Sequence, residues 1–243
     1  MDQLRNFADN RLINGCIYCG GPEDTREHVP SKVFLDPPFP DNLPIVAACK
    51  TCNNSFSLDE EYFACLMEVM IAGSTNPDHV NRPKIANILR RSPQLKSRLE
   101  SAKYVKDSQT YFKIEAHRIE NIILKLAKGH AAFELSQCCY NQPDSIWWYP
   151  LNLLSDKQRE PFESCHFVEI LGEIGSRWIQ RLLVTEFIIE SSSGDITMHN
   201  AVINDWIDVQ DGRYRYLTIH DDEGIKIYIV ISEFLACQVI WTP

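Results

Sequence analysis

The chain has 243 residues, 44% of them hydrophobic and 23% charged, with a formal net charge of −9. That composition suits an ordinary globular protein with its own apolar core, and it disfavours a nucleic-acid binder with a uniformly basic surface. No run of about 18 apolar residues is present, so neither a membrane span nor a membrane partner is expected. The opening stretch MDQLRNFADN lacks the basic start and apolar run of a secretory signal. A cytoplasmic setting follows as an expectation. There the nine cysteines, an odd number, would serve as thiols or metal ligands instead of disulfides.

Three segments follow in chain order, with expected boundaries at 1–72, 73–143 and 144–243. Residues 1–72 carry five basic and eleven acidic side chains, a net of −6. Residues 73–135 carry twelve against six, a net of +6, and residues 136–243 carry seven against sixteen, a net of −9. The basic charge therefore sits in the middle of the chain, where a local stripe can still meet a phosphate backbone.

The first segment, rich in Cys, Pro and Asn, reads as loops and short strands leading into a helix. Ser57-Leu58-Asp59-Glu60 has the form of a capping box. Tyr62, Phe63, Leu66, Met67, Val69 and Met70 then recur at helical spacing, and Gly73 is a natural stop. The second segment reads as basic and mainly helical. Periodic stretches run over 78–102 and 117–135, with a short strand over 110–114 between them. In the third segment, strands are expected over 166–171, 181–190, 214–220 and 226–232. The last two flank Asp221-Asp222-Glu223-Gly224, a hairpin turn, and the apolar C-terminal residues close an antiparallel sheet. The expected class is α+β.

Two pairs of cysteines carry the strongest chemical signal. Cys16-x-x-Cys19 and Cys49-x-x-Cys52 present four thiols in the spacing of a closed, structural Zn²⁺ site, with Gly15, Gly20 and Gly21 beside the first pair. Many binding ribbons share that pattern, so zinc alone does not identify an activity. Between the pairs stands Thr25-Arg26-Glu27-His28-Val29-Pro30, then Asn42-Leu43, and Asn53-Asn54 directly follows Cys52.

This order over about residues 14–66 resembles the HNH nucleases, the zinc-containing ββα-metal or His-Me finger branch. The resemblance implies an N-terminal ββα-metal module in which His28 is the general base, a task suited to a neutral imidazole near pKa 6.5. It also implies that Asn42 braces the loop and that Glu27 and Asn53 hold a catalytic Mg²⁺ or Mn²⁺. Asn54 competes with Asn53 for the ligand position. Other roles stay open: Glu27 as a surface partner of Arg26 or Lys32, Asn53 as a helix cap, and Asn42 as a turn residue. The chain departs from the family in having a proline-rich stretch, Leu35 to Pro40, in place of a Gly-Gly loop. It also has Asn53 for the usual His, and Phe56 where a Lys is common.

The resemblance implies an endonuclease acting on DNA, as in bacterial defence or mobile elements, with RNA as an alternative substrate. An activating protein partner or a homo-oligomer would fit an acidic nuclease. The rival from another class is a non-catalytic zinc module that binds nucleic acid or protein. Arg82, Lys84, Arg90, Arg91, Lys96, Arg98, Lys103 and Lys106 form a candidate phosphate-contacting stripe on the second segment. Cys65, Cys138, Cys139, Cys165 and Cys237 lack ligand spacing and read as buried thiols. Cys165-His166 and His199 read as structural. Trp147, Trp148, Tyr149 and Trp178 read as core or interface, and no phosphate-cradling GxxxxGK motif is present.

Overall fold

The computed structural model describes residues 15–243, apart from 108, 170, 172–175, 191, 193 and 195. The leader reading of residues 1–10 therefore falls outside the described residues, as does part of the strand expected over 166–171. Helices and antiparallel strands both contribute, so the α+β class is met, and the C-terminal part is an antiparallel sheet.

The chain begins with a hairpin and a helix. Strand β1 (Thr25–His28) pairs antiparallel with β2 (Ile45–Ala48), Thr25 facing Ala48 and His28 facing Ile45. Helix α1 (Lys50–Ser55) runs almost directly into α2 (Ser57–Ala72). The capping box expected at Ser57 and Glu60 does not form. Phe56 keeps a helical backbone between the two helices, so there is no sharp helix start to cap. Ser57 Oγ donates instead to the Asn54 carbonyl. Gly73 ends α2 as expected, with φ of 62°, while the Gly73 and Ser74 N–H groups close on the Met70 and Val69 carbonyls.

The helix expected over 78–102 is two helices, α3 (Pro83–Arg91) and α4 (Pro93–Ala102), each opened by a proline in its first turn. Proline is tolerated there but lacks the N–H that a continuous helix needs. The strand expected over 110–114 is β4 (Gln109–Phe112), paired with β3 (Lys103–Lys106). Helix α5 (Ala116–Leu135) follows and is the central strut of the fold. None of the helices among the described residues is long and apolar enough to cross a membrane.

Strand β5 (Ser145–Pro150) and helix α6 (Asp156–Glu163) lead to β6 (His166–Phe167), α7 (Arg177–Arg181), β7 (Leu183–Glu190) and β8 (Ile196–Asn204). Four more strands end the chain: β9 (Ile207–Gln210), β10 (Tyr214–Asp221), β11 (Gly224–Ile231) and β12 (Leu235–Trp241). The main sheet has the order β5-β12-β11-β10-β9, and a smaller one has the order β6-β8-β7. The expected strand over 166–171 is cut to two residues, and 181–190 begins as the last residue of α7 before β7. The hairpin at 221–224 forms with Asp221 opposite Gly224. Gly224 has φ of 119°, and a Cβ there would lie 2.0 Å from the Trp241 carbonyl, so no other residue fits.

Strand alternation gives the main sheet two buried faces. Tyr214, Tyr216, Ile227, Ile229, Ile231, Cys237 and Val239 face α5, where Ile119, Ile122, Ile123, Leu126 and Ala131 meet them in one core with α2. Leu217, Ile219, Tyr228, Val230 and Ala236 point the other way, onto Leu154 and Phe162. Fully burying such side chains stabilises by about 1.5–3 kcal/mol each. Residues from all three expected segments share the first of these clusters.

Polar contacts join α5 to the sheet as well. Buried His130 stacks on Tyr216 with centroids 3.7 Å apart and meets the Tyr214 hydroxyl at 2.8 Å. Tyr216 donates to Glu134 at 2.6 Å, and Arg181 reaches the same carboxylate at 3.2 Å. On its opposite side α5 touches the N-terminal hairpin so closely that a Cβ on Gly129 would lie 2.6 Å from Val29 Cγ2.

Candidate functional site

The four cysteines of the paired knuckles come together. Their Sγ atoms all lie within 4.8 Å of one another, and Cys19 and Cys49 are 3.8 Å apart. Thiolates about 2.3 Å from a tetrahedral zinc are separated by about 3.8 Å, so this donor set fits zinc. Local sequence builds the first knuckle. Gly15 has φ of 80°, and a Cβ there would sit 2.6 Å from the Gly21 carbonyl. The Cys16 N–H reaches that same carbonyl at 2.7 Å, and the Gly20 N–H bonds the Cys16 carbonyl at 2.8 Å. Burial pushes the Cys16 thiol up. The backbone N–H groups of Cys49, Tyr18 and Cys19 outweigh it and bring the thiol down to about 7, which favours thiolate. In the second knuckle Cys49 caps α1 and accepts from the Cys52 N–H at 3.4 Å.

This cluster clamps the loop before β1 against the end of β2, and so fixes the hairpin on which Glu27 and His28 stand. The two adjacent residues have different surroundings. His28, half-buried at the end of β1, is held below its ordinary value by burial and then by the charge of Lys32. A neutral imidazole is favoured. Its Nδ1 is buried without a hydrogen-bond partner among the described residues. Asn42, the expected brace, is exposed in the turn at 41–42.

Glu27 points into a buried ionic cluster. Its Oε1 accepts from Lys125 Nζ at 2.8 Å, and the same ammonium bonds Glu60 and, at 2.8 Å, Ser31 Oγ. Burial raises the Glu27 carboxyl, while Lys125 and Ser31 oppose it and the Glu60 charge adds to it. Lys125 is 1% exposed. The alternative in which Glu27 pairs with Arg26 or Lys32 is thus replaced by a partner 98 positions away.

Asn53, half-buried on α1, turns to β1, where its Nδ2 donates to Thr25 Oγ1 at 3.3 Å and to the Arg26 carbonyl at 3.4 Å. Asn54 is exposed. The described contacts therefore bring Asn53 to the Glu27–His28 strand and leave Asn42 and Asn54 outside. Sequence reasoning missed Ser31, Glu60 and Lys125. Lys125 left a trace, since it falls three residues after Ile122 on the face that packs inward, where a lone lysine needs a buried partner.

The basic stripe is largely spent on structure. Arg82, 5% exposed, pairs with Asp36 at 2.7 Å and donates to the Val33 and Leu35 carbonyls. Arg90 pairs with Asp78, Arg98 with Glu115, and Lys103 Nζ donates to the Gly73 carbonyl. Asp36 also receives Arg213 at 3.0 Å, and its backbone N–H and carbonyl bond the Gln210 side chain, both at 2.8 Å. The proline-rich loop beside the hairpin is thereby tied to the C-terminal sheet.

Of the remaining cysteines, Cys65 and Cys237 are buried, and Cys138, Cys139 and Cys165 are half-buried. Burial pushes Cys65 and Cys139 up to about 12. Among the described residues no second group of His, Cys, Asp and Glu gathers as a metal site, and His199 is exposed. An open depression of about 450 Å³ on the C-terminal part is lined by Glu163, Asp205, Asp208, Asp211 and Glu233 around Trp206 and Arg215, a setting that repels phosphate. Comparison of the chain with family models, curated proteins and solved structures gave no match.

Proposed function

We propose that the chain is a zinc-braced, metal-dependent endonuclease of the HNH type, acting on DNA. The observation that supports this reading best is a juxtaposition. A thiol-clamped hairpin ends in a histidine biased toward its neutral form, and the following helix turns Asn53 onto the same strand. His28 takes a proton from the attacking water through Nε2, since its Nδ1 is buried. Glu27 and Asn53 are the residues that would hold Mg²⁺ or Mn²⁺. The bonds of Glu27 run through Oε1, so its contribution would come from Oε2. One carboxylate and one amide form a sparse set, but Mg²⁺ commonly keeps several waters and takes substrate phosphate as a ligand. An ion held there would neutralise charge on the phosphate and on the departing 3′-oxygen.

A second reading draws on the Lys125 cluster. With Oε1 of Glu27 already bonded to Lys125 and Glu60 sharing that ammonium, the hairpin also suits a non-catalytic zinc module that binds nucleic acid or protein. A protein surface for either reading is offered by β7 and β8, where Val184, Ile188, Ile196 and Met198 are all more than half exposed.

Supercoiled plasmid incubated with the zinc-loaded chain separates the two. The nuclease reading expects nicking with Mg²⁺ or Mn²⁺, none without added divalent metal, and a loss of at least about 100-fold in His28→Ala. Equal nicking by the variant would remove His28 from its role. Intact plasmid, single-stranded DNA and RNA under all conditions would leave the binding-module reading.

A further inference from the structure

We propose that Lys32 and Lys84, converging over Phe39, form a grip for a phosphodiester backbone beside His28. The inference takes its ligand class from the nuclease reading and deepens it. Lys32 lies four residues beyond His28 in a single 3-10 turn (Lys32–Phe34), and Lys84 stands in the first turn of α3. Lys84 Nζ donates to the Lys32 carbonyl at 3.2 Å. The two ammonium groups sit 5.4 Å and 6.0 Å from the centre of the Phe39 ring. Two distant stretches of chain thus deliver their charges to one half-buried aromatic ring.

Among the described residues neither lysine has an ion-pair partner, and the adjacent carboxylates are committed elsewhere: Asp36 to Arg82 and Arg213, and Glu60 to Lys125. Desolvation, then the charges of Arg82 and Lys32, hold Lys84 below its ordinary value, with Glu60 and Asp36 only partly opposing them. Like charges gathered this way are relieved by an anion, and a phosphodiester backbone, which carries repeated charges, is a strong candidate by charge. The platform is held in advance, because the loop carrying Phe39 is anchored at Asp36 by Gln210 and Arg213. On a chain with a net charge of −9, such a local grip is what a polyanion requires.

The test is fluorescence anisotropy of the full zinc-loaded chain without added divalent metal, against labelled duplex DNA, single-stranded DNA and an RNA hairpin. The Lys32→Gln/Lys84→Gln double variant is expected to bind its preferred polymer about tenfold or more weakly. Its dependence of log affinity on log salt should be shallower by about 1.8 on duplex DNA, or about 1.4 on a single strand, the value for two lost phosphate contacts. Lys32→Arg/Lys84→Arg, which keeps both charges, should retain binding, and Lys157→Gln, an exposed site on α6, should change neither quantity. Unchanged affinity and slope in the double glutamine variant would overturn the proposal, as would an equal loss in Lys157→Gln or no wild-type binding to any of the three polymers. Binding lost in the double variant, together with an absence of nicking, would sustain the grip and sink only the nuclease reading.

Discussion

The two ends of the molecule solve the same problem by different means. Among the described residues, Ile17, Val29, Val46 and Ala132 form a small buried apolar cluster beside the first hairpin, while Phe34, Leu35 and Leu43 of its connecting loop join the main core; two strands of four residues each cannot bury enough surface to hold themselves. Four thiols take that part. The C-terminal sheet has five strands, apolar on both faces, and needs no such brace. The difference matters for chemistry. A four-thiol cluster that takes a metal would fix a few loop residues while leaving the strand end, with half-buried His28, near solvent, whereas a packed sheet buries most of what it fixes.

The largest effect should come from the brace. One zinc per chain is expected by elemental analysis. Its removal, or Cys49→Ser, should abolish hydrogen-exchange protection in β1 and β2 while β10–β12 stay protected. Structural zinc in small folds contributes about 10–16 kcal/mol of apparent binding energy, so the loss should be complete. Uniform loss of protection along the whole chain would break the distinction between the two ends.

Lys125→Met probes the seam between them. It leaves Glu27 and Glu60 without their shared cation, and removing one partner of a buried ion pair costs about 3–5 kcal/mol. Urea unfolding should register that loss. A change under about 1 kcal/mol would mean that water replaces the ammonium and that the cluster is less closed than its burial implies.

A smaller effect should mark the C-terminal side of α5. Burial, reinforced by Arg181, holds His130 well below its ordinary value, so it is neutral when folded and titrates near 6.5 when unfolded. The unfolded chain then binds the extra proton, and stability falls as pH drops below about 6.5, by up to about 1.4 kcal/mol per unit. Glu134, raised chiefly by burial, works in the opposite sense. The readout is therefore the difference between wild type and His130→Gln, whose melting temperature should depend less on pH between 6.5 and 5. Parallel pH profiles would show that His130 is not buried as a neutral ring.

What could be read in the sequence was local. The thiol spacing, the Gly73 stop and the Asp221–Gly224 turn are each written within a few residues, and all three form. The 78–102 stretch reads as one helix because apolar periodicity continues through Pro83 and Pro93, whereas backbone hydrogen bonding does not. The ionic cluster at Glu27 was out of reach for a different reason. Its members are 98 positions apart, and nothing near Glu27 in sequence announces Lys125. Sequence spacing places Glu60 in its own helix start, a role that disappears once Phe56 makes two helices nearly one.

The anchoring of the proline-rich loop bears on how this hairpin could be reused. Asp36 is gripped from the far end of the chain by Gln210 and Arg213, and Val29 is pressed against the bare backbone of Gly129. The four-cysteine hairpin is thus no transplantable cassette: grafted onto another scaffold as residues 15–72 it would keep its four thiols, but it would lose the walls that position His28 and Phe39.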